Sequence, residues 1–153
     1  MLFHLLGEMF DSEQIMKNYI FYEERTLHDS SLSMCFHTLV SAKCGMLEQA
    51  EAMYDKACGV DIGENVNNSD EGVHSASIGG IWLALVMGFG GMRIEDGMLS
   101  LSPVLPKSWS GYSFTVCFRG TKLLVETNTE GSRITRLSGK TQKIQLCGKK
   151  IDA

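Results

Sequence analysis

The sequence has 153 residues and a net charge of −4, and its 44% hydrophobic and 21% charged residues indicate a globular rather than a disordered chain. The charge is uneven, because residues 1–91 carry 13 acidic and 4 basic side chains whereas residues 92–153 carry 5 acidic and 10 basic ones. The basic residues form no Lys/Arg block, which argues against nucleic-acid binding, and the longest apolar run, residues 78–91, is too short and too rich in glycine to cross a bilayer.

The cysteines predict a reducing, cytoplasmic setting. They are odd in number and no two have C-x-x-C spacing, so neither a disulfide framework nor a zinc site is expected. Most of them should be small core residues. The five are Cys35, Cys44, Cys58, Cys117 and Cys147. Residues 1–10 are apolar but lack a basic n-region and a small-residue cleavage site, so a signal peptide is not expected.

Two amphipathic helices are predicted in the first 45 residues. The first begins after Asp11 and Ser12, which can cap it, and ends near residues 21–22. The second begins after a group of capping side chains at residues 29–31 and stops at Gly45. Its apolar residues share one face at 3.6-residue spacing: Leu32, Cys35, Phe36, Leu39 and Val40.

Two more helices follow, separated by a long polar loop. The third carries an apolar stripe of Leu47, Ala50, Tyr54 and Ala57, and the short connection to the second helix predicts that the two are antiparallel neighbours. The loop, residues 59–72, is rich in Asp, Asn and Glu, and loops of this length are often functional. The fourth helix is expected from about residue 73 to residue 87, with Gly88 ending it.

The order of the helices brings two helix N-termini together. Alternate helices of an up-and-down run point the same way, so the second and fourth helices should begin side by side. Helix N-termini carry free N–H groups and a positive dipole end, and they attract anions. Ser30 and Ser31 stand at one N-terminus, and Gly72, Val73 and His74 stand at the other. The pattern predicts an oxyanion or phosphate site, although serine and glycine at helix starts are usually only caps.

The second half of the chain has the period of a β-sheet. Tyr112, Phe114, Val116 and Phe118 alternate with polar residues, which is typical of a half-buried strand. Turn signals at residues 120–121, 130–131, 138–139 and 148–149 separate further strands at 123–127, 133–137 and 143–146. These signals predict an antiparallel meander of five or six strands. Trp82, Trp109 and the aromatic stripe of the first strand are expected in the core.

Four motifs together resemble the C-terminal part of family 65 glycoside hydrolases. They are HDSSLS at residues 28–33, GVHSAS at 72–77, GGIW at 79–82 and LSPVLP at 101–106. That family contains maltose, trehalose, kojibiose and nigerose phosphorylases and some trehalose hydrolases. The similarity extends over nearly the whole chain, and the order of the motifs makes it specific.

The resemblance implies an α+β fold. Residues 1–91 would be the last helices of an (α/α)₆ catalytic barrel, and residues 92–153 would be a small antiparallel, sandwich-like β-sheet domain. It also implies inverting phosphorolysis, in which a carboxylic acid protonates the glycosidic oxygen while phosphate attacks the anomeric carbon. Ser30, Ser31 and His74 match the phosphate-binding residues of the family. No metal and no cofactor other than the co-substrate phosphate is implied.

The implied partners are the disaccharide, phosphate and the remaining part of the barrel, with neither nucleic acid nor membrane. A second copy in a homodimer stays open. Which disaccharide is used is also left open by the sequence.

The resemblance has gaps that bear on activity. The family's catalytic glutamate and its Lys-Gln segment lie upstream of the matching residues, so the chain by itself is expected to be inactive. Glu24 stands where the family often has Pro, and Leu83 where it often has Gln. Two alternatives remain open: a non-catalytic remnant or assembly module, and a trehalase-like hydrolase.

The remaining acidic and histidine residues are expected to have no role in the reaction. Four glutamates resemble general acids but are expected to be solvated: Glu23, Glu24, Glu64 and Glu71. His28 is expected to be structural, with contact to Asp29 or to substrate as the alternative. His4 and His37 are expected to have no special role.

Overall fold

The computed structural model describes residues 2–62 and 72–153, so Glu64 and Glu71 lie outside the described residues. Within them the chain is an α+β protein, as predicted. It consists of two compact units, the helical unit Met1–Gly88 and the β unit Phe89–Ala153. No helix in the described ranges has the length and apolar character needed to cross a bilayer.

The described part of the helical unit has four helices of nine residues or more and several shorter helical pieces. In chain order its elements are α1 Leu2–Leu5, a 3₁₀ turn Gly7–Met9, α2 Ser12–Glu23, α3 Ser33–Lys43, α4 Leu47–Cys58, α5 Ser75–Leu83 and a π-helical segment Ala84–Phe89 that continues α5. The predicted existence and order of the four main helices are confirmed.

The ends of α2 and α3 follow local rules. Asp11 accepts a hydrogen bond from the Gln14 backbone N–H at 2.7 Å, and the Gln14 side chain accepts one from the Asp11 N–H at 3.3 Å, which completes a capping box. Gly45 follows the C-cap of α3, and its φ of +76° closes a Schellman motif with hydrogen bonds of 2.9–3.0 Å. The predicted caps of α3 are wrong: Leu32 occupies the N-cap position, and no side chain caps the helix.

Helix α5 differs at both ends from the prediction. It begins at Ser75 rather than near residue 73, because Gly72 has a φ of +126° and His74 is also non-helical. Gly88 does not end it, since the chain continues as a π-helix to Phe89. A Cβ at Gly88 would lie 3.2 Å from the Cα of Leu39, so this glycine permits close packing on α3.

The core of the helical unit is built on α2 and α3. Ile15, Tyr19, Leu39 and Val40 form a buried cluster. Helix α4 packs closely on its neighbouring helices through the small residues Ala50 and Ala57, which are both fully buried. The expectation that Trp82 lies in the core is wrong, because its side chain is 48% exposed.

The β unit has seven strands in two sheets. They are β1 Arg93–Glu95, β2 Met98–Leu101, β3 Gly111–Phe118, β4 Thr121–Asn128, β5 Gly131–Ser138, β6 Lys143–Leu146 and β7 Lys149–Asp152. Strands β3-β4-β5 form an antiparallel meander, and the other sheet has the order β1-β2-β6-β7 with a parallel β2–β6 pair. The prediction of a single meander of five or six strands is therefore wrong in strand number and in connectivity.

Tight turns explain the hairpins. Positive φ values at both turn residues, as in a type I′ turn, occur at Asp96-Gly97, Arg119-Gly120 and Cys147-Gly148. The Asp96-Gly97 pair is a strong hairpin signal in the sequence. Because this signal was not used, strands β1 and β2 were not predicted from the sequence.

The core of the β unit is made by the inward faces of its strands. The alternation along β3 is confirmed, with Phe114, Val116 and Phe118 buried. Trp109 is half-buried between the rings of Phe89 and Tyr112. The Tyr112 hydroxyl lies 2.7 Å from the Phe89 carbonyl oxygen, and burial raises its pKa to about 12.

All five cysteines are free, as predicted, but not all of them are core residues. Cys35 is buried, Cys44 and Cys58 are half-buried, and Cys117 and Cys147 are exposed.

Candidate functional site

The N-termini of α3 and α5 lie next to each other, as the order of the helices predicted. Ser77, in the first turn of α5, donates a hydrogen bond from its hydroxyl to the Ser31 carbonyl oxygen at 3.1 Å. The Cys35 thiol, in the first turn of α3, donates to the Ser77 carbonyl oxygen at 3.7 Å. Gly80 completes this junction, because a Cβ there would lie 2.9 Å from the Cβ and Sγ atoms of Cys35.

Ser30 and Ser31 form the turn that precedes α3. The Ser33 N–H donates to the Ser30 carbonyl oxygen at 2.9 Å, and the Leu32 N–H donates to the Ser30 hydroxyl oxygen at 3.4 Å. Since the Ser30 hydroxyl acts here as an acceptor, its own proton can be donated to an anion. Ser30 is exposed and Ser31 is half-buried, so both can reach a ligand.

His74 is anchored by Asp61, a partner that sequence reasoning did not identify. One Asp61 carboxylate oxygen lies 2.7 Å from Nδ1 of the His74 ring, and the other accepts the His74 backbone N–H at 3.0 Å. These hydrogen bonds, the one from the ring first, lower the pKa of Asp61. With Nδ1 occupied, Nε2 is the ring atom that can contact a ligand.

A second imidazole–carboxylate group surrounds His28, in the turn before Ser30. His28 Nε2 lies 3.2 Å from one oxygen of Glu23, and its Nδ1 lies 2.9 Å from the Ser33 hydroxyl. The other Glu23 oxygen contacts His37 Nδ1. The expected structural role of His28 is supported, whereas the expectations of a solvated Glu23 and an unremarkable His37 are wrong, since both side chains are less than 20% exposed.

His28 also has an unusual backbone conformation. Its φ is +56°, in the left-handed region that few residues other than glycine and asparagine adopt. Such a conformation persists where surrounding contacts hold it. The two ring contacts to Glu23 and Ser33 supply that restraint, and they fix the path of the turn into Ser30.

The arrangement suits an anion. Two serine hydroxyls and one histidine ring stand at two adjacent helix N-termini, whose N–H groups favour negative charge. Among the described residues near this point, Glu23 and Asp61 are engaged by histidines, so neither is a free acid. Helix N-termini and hydroxyl groups of this kind favour a negatively charged ligand, and neither Glu23 nor Asp61 is available as a free proton donor.

Two family models match this chain, and together they cover nearly all of it. Residues 1–83 match the description "Glycosyl hydrolase family 65 central catalytic domain". Residues 92–152 match "Glycosyl hydrolase family 65, C-terminal domain".

Similar proteins are named as disaccharide phosphorylases. The chain is 41% identical over 138 residues to a kojibiose phosphorylase of Halothermothrix orenii, which covers 90% of this chain and 18% of that protein. It is 38% identical to an alpha,alpha-trehalose phosphorylase of Geobacillus stearothermophilus, over 95% of this chain and 19% of that protein.

A solved structure assigned as a kojibiose phosphorylase from the human microbiome superposes with a TM-score of 0.90 at 34% identity, over 99% of this chain and 22% of that one. The chain thus spans about a fifth of the length of the relatives it matches.

Proposed function

Because the chain belongs to glycosyl hydrolase family 65, we propose that it is part of an inverting α-glucoside phosphorylase and supplies the phosphate-binding residues of its active site. In this proposal residues 1–91 are the last helices of an (α/α)₆ catalytic barrel, and residues 92–153 are its C-terminal β domain. The observation that carries the proposal is the hydrogen bond from Ser77 to the Ser31 carbonyl oxygen, which holds the two helix N-termini together.

The proposed role of each residue follows from its contacts. The hydroxyls of Ser30 and Ser31 donate to phosphate oxygens, and Nε2 of His74 does the same while Asp61 holds the ring. Phosphate held in this way is placed to attack the anomeric carbon from the side opposite the leaving sugar, as inversion requires. The helix dipoles add a favourable field for the dianion.

The general acid is proposed to come from outside this chain. The family's catalytic glutamate has no counterpart here, and Glu23 is already engaged by two histidines. We therefore expect the 153-residue chain alone to show no turnover of kojibiose, trehalose, maltose or nigerose. Turnover of any of them by the purified chain would contradict this part of the proposal.

The surface near the candidate site has apolar side chains that a further protein segment could cover. Three apolar side chains next to the site residues are strongly exposed: Leu27, Ile62 and Val73, at 84%, 85% and 70%. They directly adjoin His28, Asp61 and His74 in the sequence. Exposed apolar residues in one region commonly mark a contact surface, and the rest of a barrel would cover them.

A chimaeric enzyme tests the proposal. In it, this chain replaces the matching segment of the Halothermothrix orenii kojibiose phosphorylase. We expect phosphate-dependent cleavage of kojibiose, and a KM for phosphate raised about 10- to 100-fold by Ser30→Ala, Ser31→Ala or His74→Gln, because a hydrogen bond to a charged group is worth about 1.5–3 kcal/mol.

The exposed serine of strand β3, Ser113, provides a matched control. Ser113→Ala should leave the KM for phosphate unchanged. Unchanged KM values in all three site variants would reject the assigned roles, and cleavage at the same rate without phosphate would favour the hydrolase alternative.

A further inference from the structure

Glu23, His28 and His37 form a compact cluster of metal-ligating atoms that the proposed reaction does not use. Their nearest ligand atoms lie within 4.8 Å of one another. They come from three different segments: the last turn of α2, the turn before α3, and the middle of α3. All three side chains are largely shielded, with 14%, 17% and 19% of their surfaces exposed, respectively.

The contact between Nδ1 and the Ser33 hydroxyl allows the His28 tautomer that a metal would require. When Nδ1–H donates to the Ser33 hydroxyl at 2.9 Å, the lone pair of Nε2 faces a Glu23 oxygen at 3.2 Å. Two acceptors that face each other need a proton or a cation between them. A metal-binding histidine usually donates its other ring N–H to a nearby oxygen in this way.

Tyr19 adds a second, independent observation. Its side chain is 5% exposed, and in the described part of the chain its hydroxyl makes no well-formed hydrogen bond, although Glu23 and Ser41 lie close to it. The ring lies beside that of His37, with centroids 5.7 Å apart, and the Glu23 carboxylate is a close charged neighbour. A buried hydroxyl without a well-formed hydrogen bond is costly, and the water bound to an ion in this cluster would satisfy it.

We propose that Glu23, His28 and His37 bind one divalent transition-metal ion, with Zn²⁺ preferred. Two imidazole nitrogens and one carboxylate oxygen suit Zn²⁺ or a neighbouring first-row ion, whereas Mg²⁺ and Ca²⁺ take oxygen ligands. The ion has a structural role: it ties α2 and α3 to the turn at His28 and so holds Ser30 and Ser31 in place. It takes no part in the glycosyl transfer.

Calorimetric titration of Zn²⁺ into the 153-residue chain in phosphate-free buffer tests the site. We expect one equivalent to bind, and the affinity to fall more than about 10-fold in Glu23→Gln, His28→Gln and His37→Gln, since even outer-shell partners of a metal are worth about 10- to 100-fold. His74→Gln is the matched control, because His74 pairs with a carboxylate but has no second histidine beside it, and it should bind Zn²⁺ like the unmodified chain.

The five free cysteines require a separate readout. Absorption spectra of the Co²⁺-loaded chain should show nitrogen and oxygen ligands without thiolate charge-transfer bands. Far-UV circular dichroism checks that each variant is folded. If a variant does not fold, the titration of the unmodified chain still shows whether Zn²⁺ binds.

Three results would each overturn the inference: no Zn²⁺ binding by the folded chain, thiolate bands in the cobalt spectrum, or full affinity in folded His28→Gln and His37→Gln chains. Because phosphate is absent throughout, none of these results bears on the phosphate site. Likewise, absence of phosphorolysis by the chimaeric enzyme would not contradict the proposed metal site.

Discussion

At the residue scale, each of the three histidines at or near the candidate site contacts a carboxylate. Asp61 binds His74 through the ring and the backbone, and Glu23 binds His28 and His37. A histidine held through one nitrogen presents the other in a fixed direction, which is what a ligand site requires. The histidine His74 was predictable from its motif and helix position. Its partner was not, because Asp61 lies 13 residues away, in a stretch of the sequence with several other acidic residues.

We predict that Asp61 titrates below the usual aspartate value of about 3.9. Its folded-state pKa is lowered by the hydrogen bonds from His74. A carboxyl group whose pKa is lowered by folding stabilises the folded state. This stabilisation is complete at pH values above the unfolded-state pKa, and it is lost as the pH falls through the folded-state pKa. Carbon-detected NMR titration of the Asp61 carboxyl group measures the pKa directly.

The variant His74→Gln provides the comparison for that titration. The Asp61 pKa should rise towards its usual value, because the hydrogen bond from the ring is the largest cause of the shift. An unchanged pKa in the variant would show that the ring contact is not what lowers it. Acid unfolding below about pH 4 should also be less steep in Asp61→Asn than in the unmodified chain.

At the element scale, α5 packs on α3 through positions without side chains. Gly80 and Gly88 are eight residues apart, and both face α3: a Cβ would meet Cys35 in one case and Leu39 in the other. The hydrophobic pattern of residues 78–91 predicts a buried helix but not which face is buried. Ile78 and Trp82 are 52% and 48% exposed, because the glycine face is the one turned inward.

Gly80→Ala should destabilise the helical unit by about 1–3 kcal/mol, as overpacking does, with up to about 1 kcal/mol offset by the better helix propensity of alanine. The cause is the 2.9 Å approach of the new Cβ to Cys35. Urea unfolding followed by circular dichroism gives the change in free energy.

Gly79→Ala is the matched control in the same helix. A Cβ at Gly79 meets nothing within 4 Å, and the residue is exposed. It should stabilise the chain by about 0.5–1 kcal/mol through helix propensity and reduced unfolded-state entropy. If both alanines had the same effect, close packing at Gly80 would not be the reason for glycine there.

At the scale of the whole molecule, the two units differ in how well they cover their apolar residues. The β unit exposes Ile94 and Leu137 among its large apolar side chains, whereas the described part of the helical unit exposes many, including Leu5, Met9 and Phe21. Two sheets with alternating inward residues can close a core within a unit as small as residues 89–153. The described helices leave part of their apolar surface uncovered, and such a surface favours contact with further protein.

We therefore predict different behaviour for the two units when each is produced separately. Residues 89–153 should unfold cooperatively and bind little of an apolar fluorescent dye such as ANS. Residues 1–88 should bind the dye strongly or self-associate, which light scattering would detect. Equal dye binding by the two units would contradict the proposal that the helical surface is a contact face.

The helix order, the alternation along β3 and the places of Ser30, Ser31 and His74 before helices were all predictable from the sequence. These features depend on local periodicity and on short motifs, which act over a few neighbouring residues. The motifs also identified the family, which the comparisons confirm. The roles of the three site residues stay a prediction.

Three features could be seen only in the folded chain: the parallel β2–β6 pair, the inward glycine face of α5, and the two carboxylate–histidine groups. Each joins residues that lie far apart in the chain, and no local pattern encodes such a pairing. Glu23 shows this most clearly: in the sequence it is one acidic residue in a polar stretch, and in the fold it lies between His28 and His37. Packing of α2 on α3 places Glu23 between these two histidines. No local pattern predicts such a contact, because it forms only when the two helices are assembled.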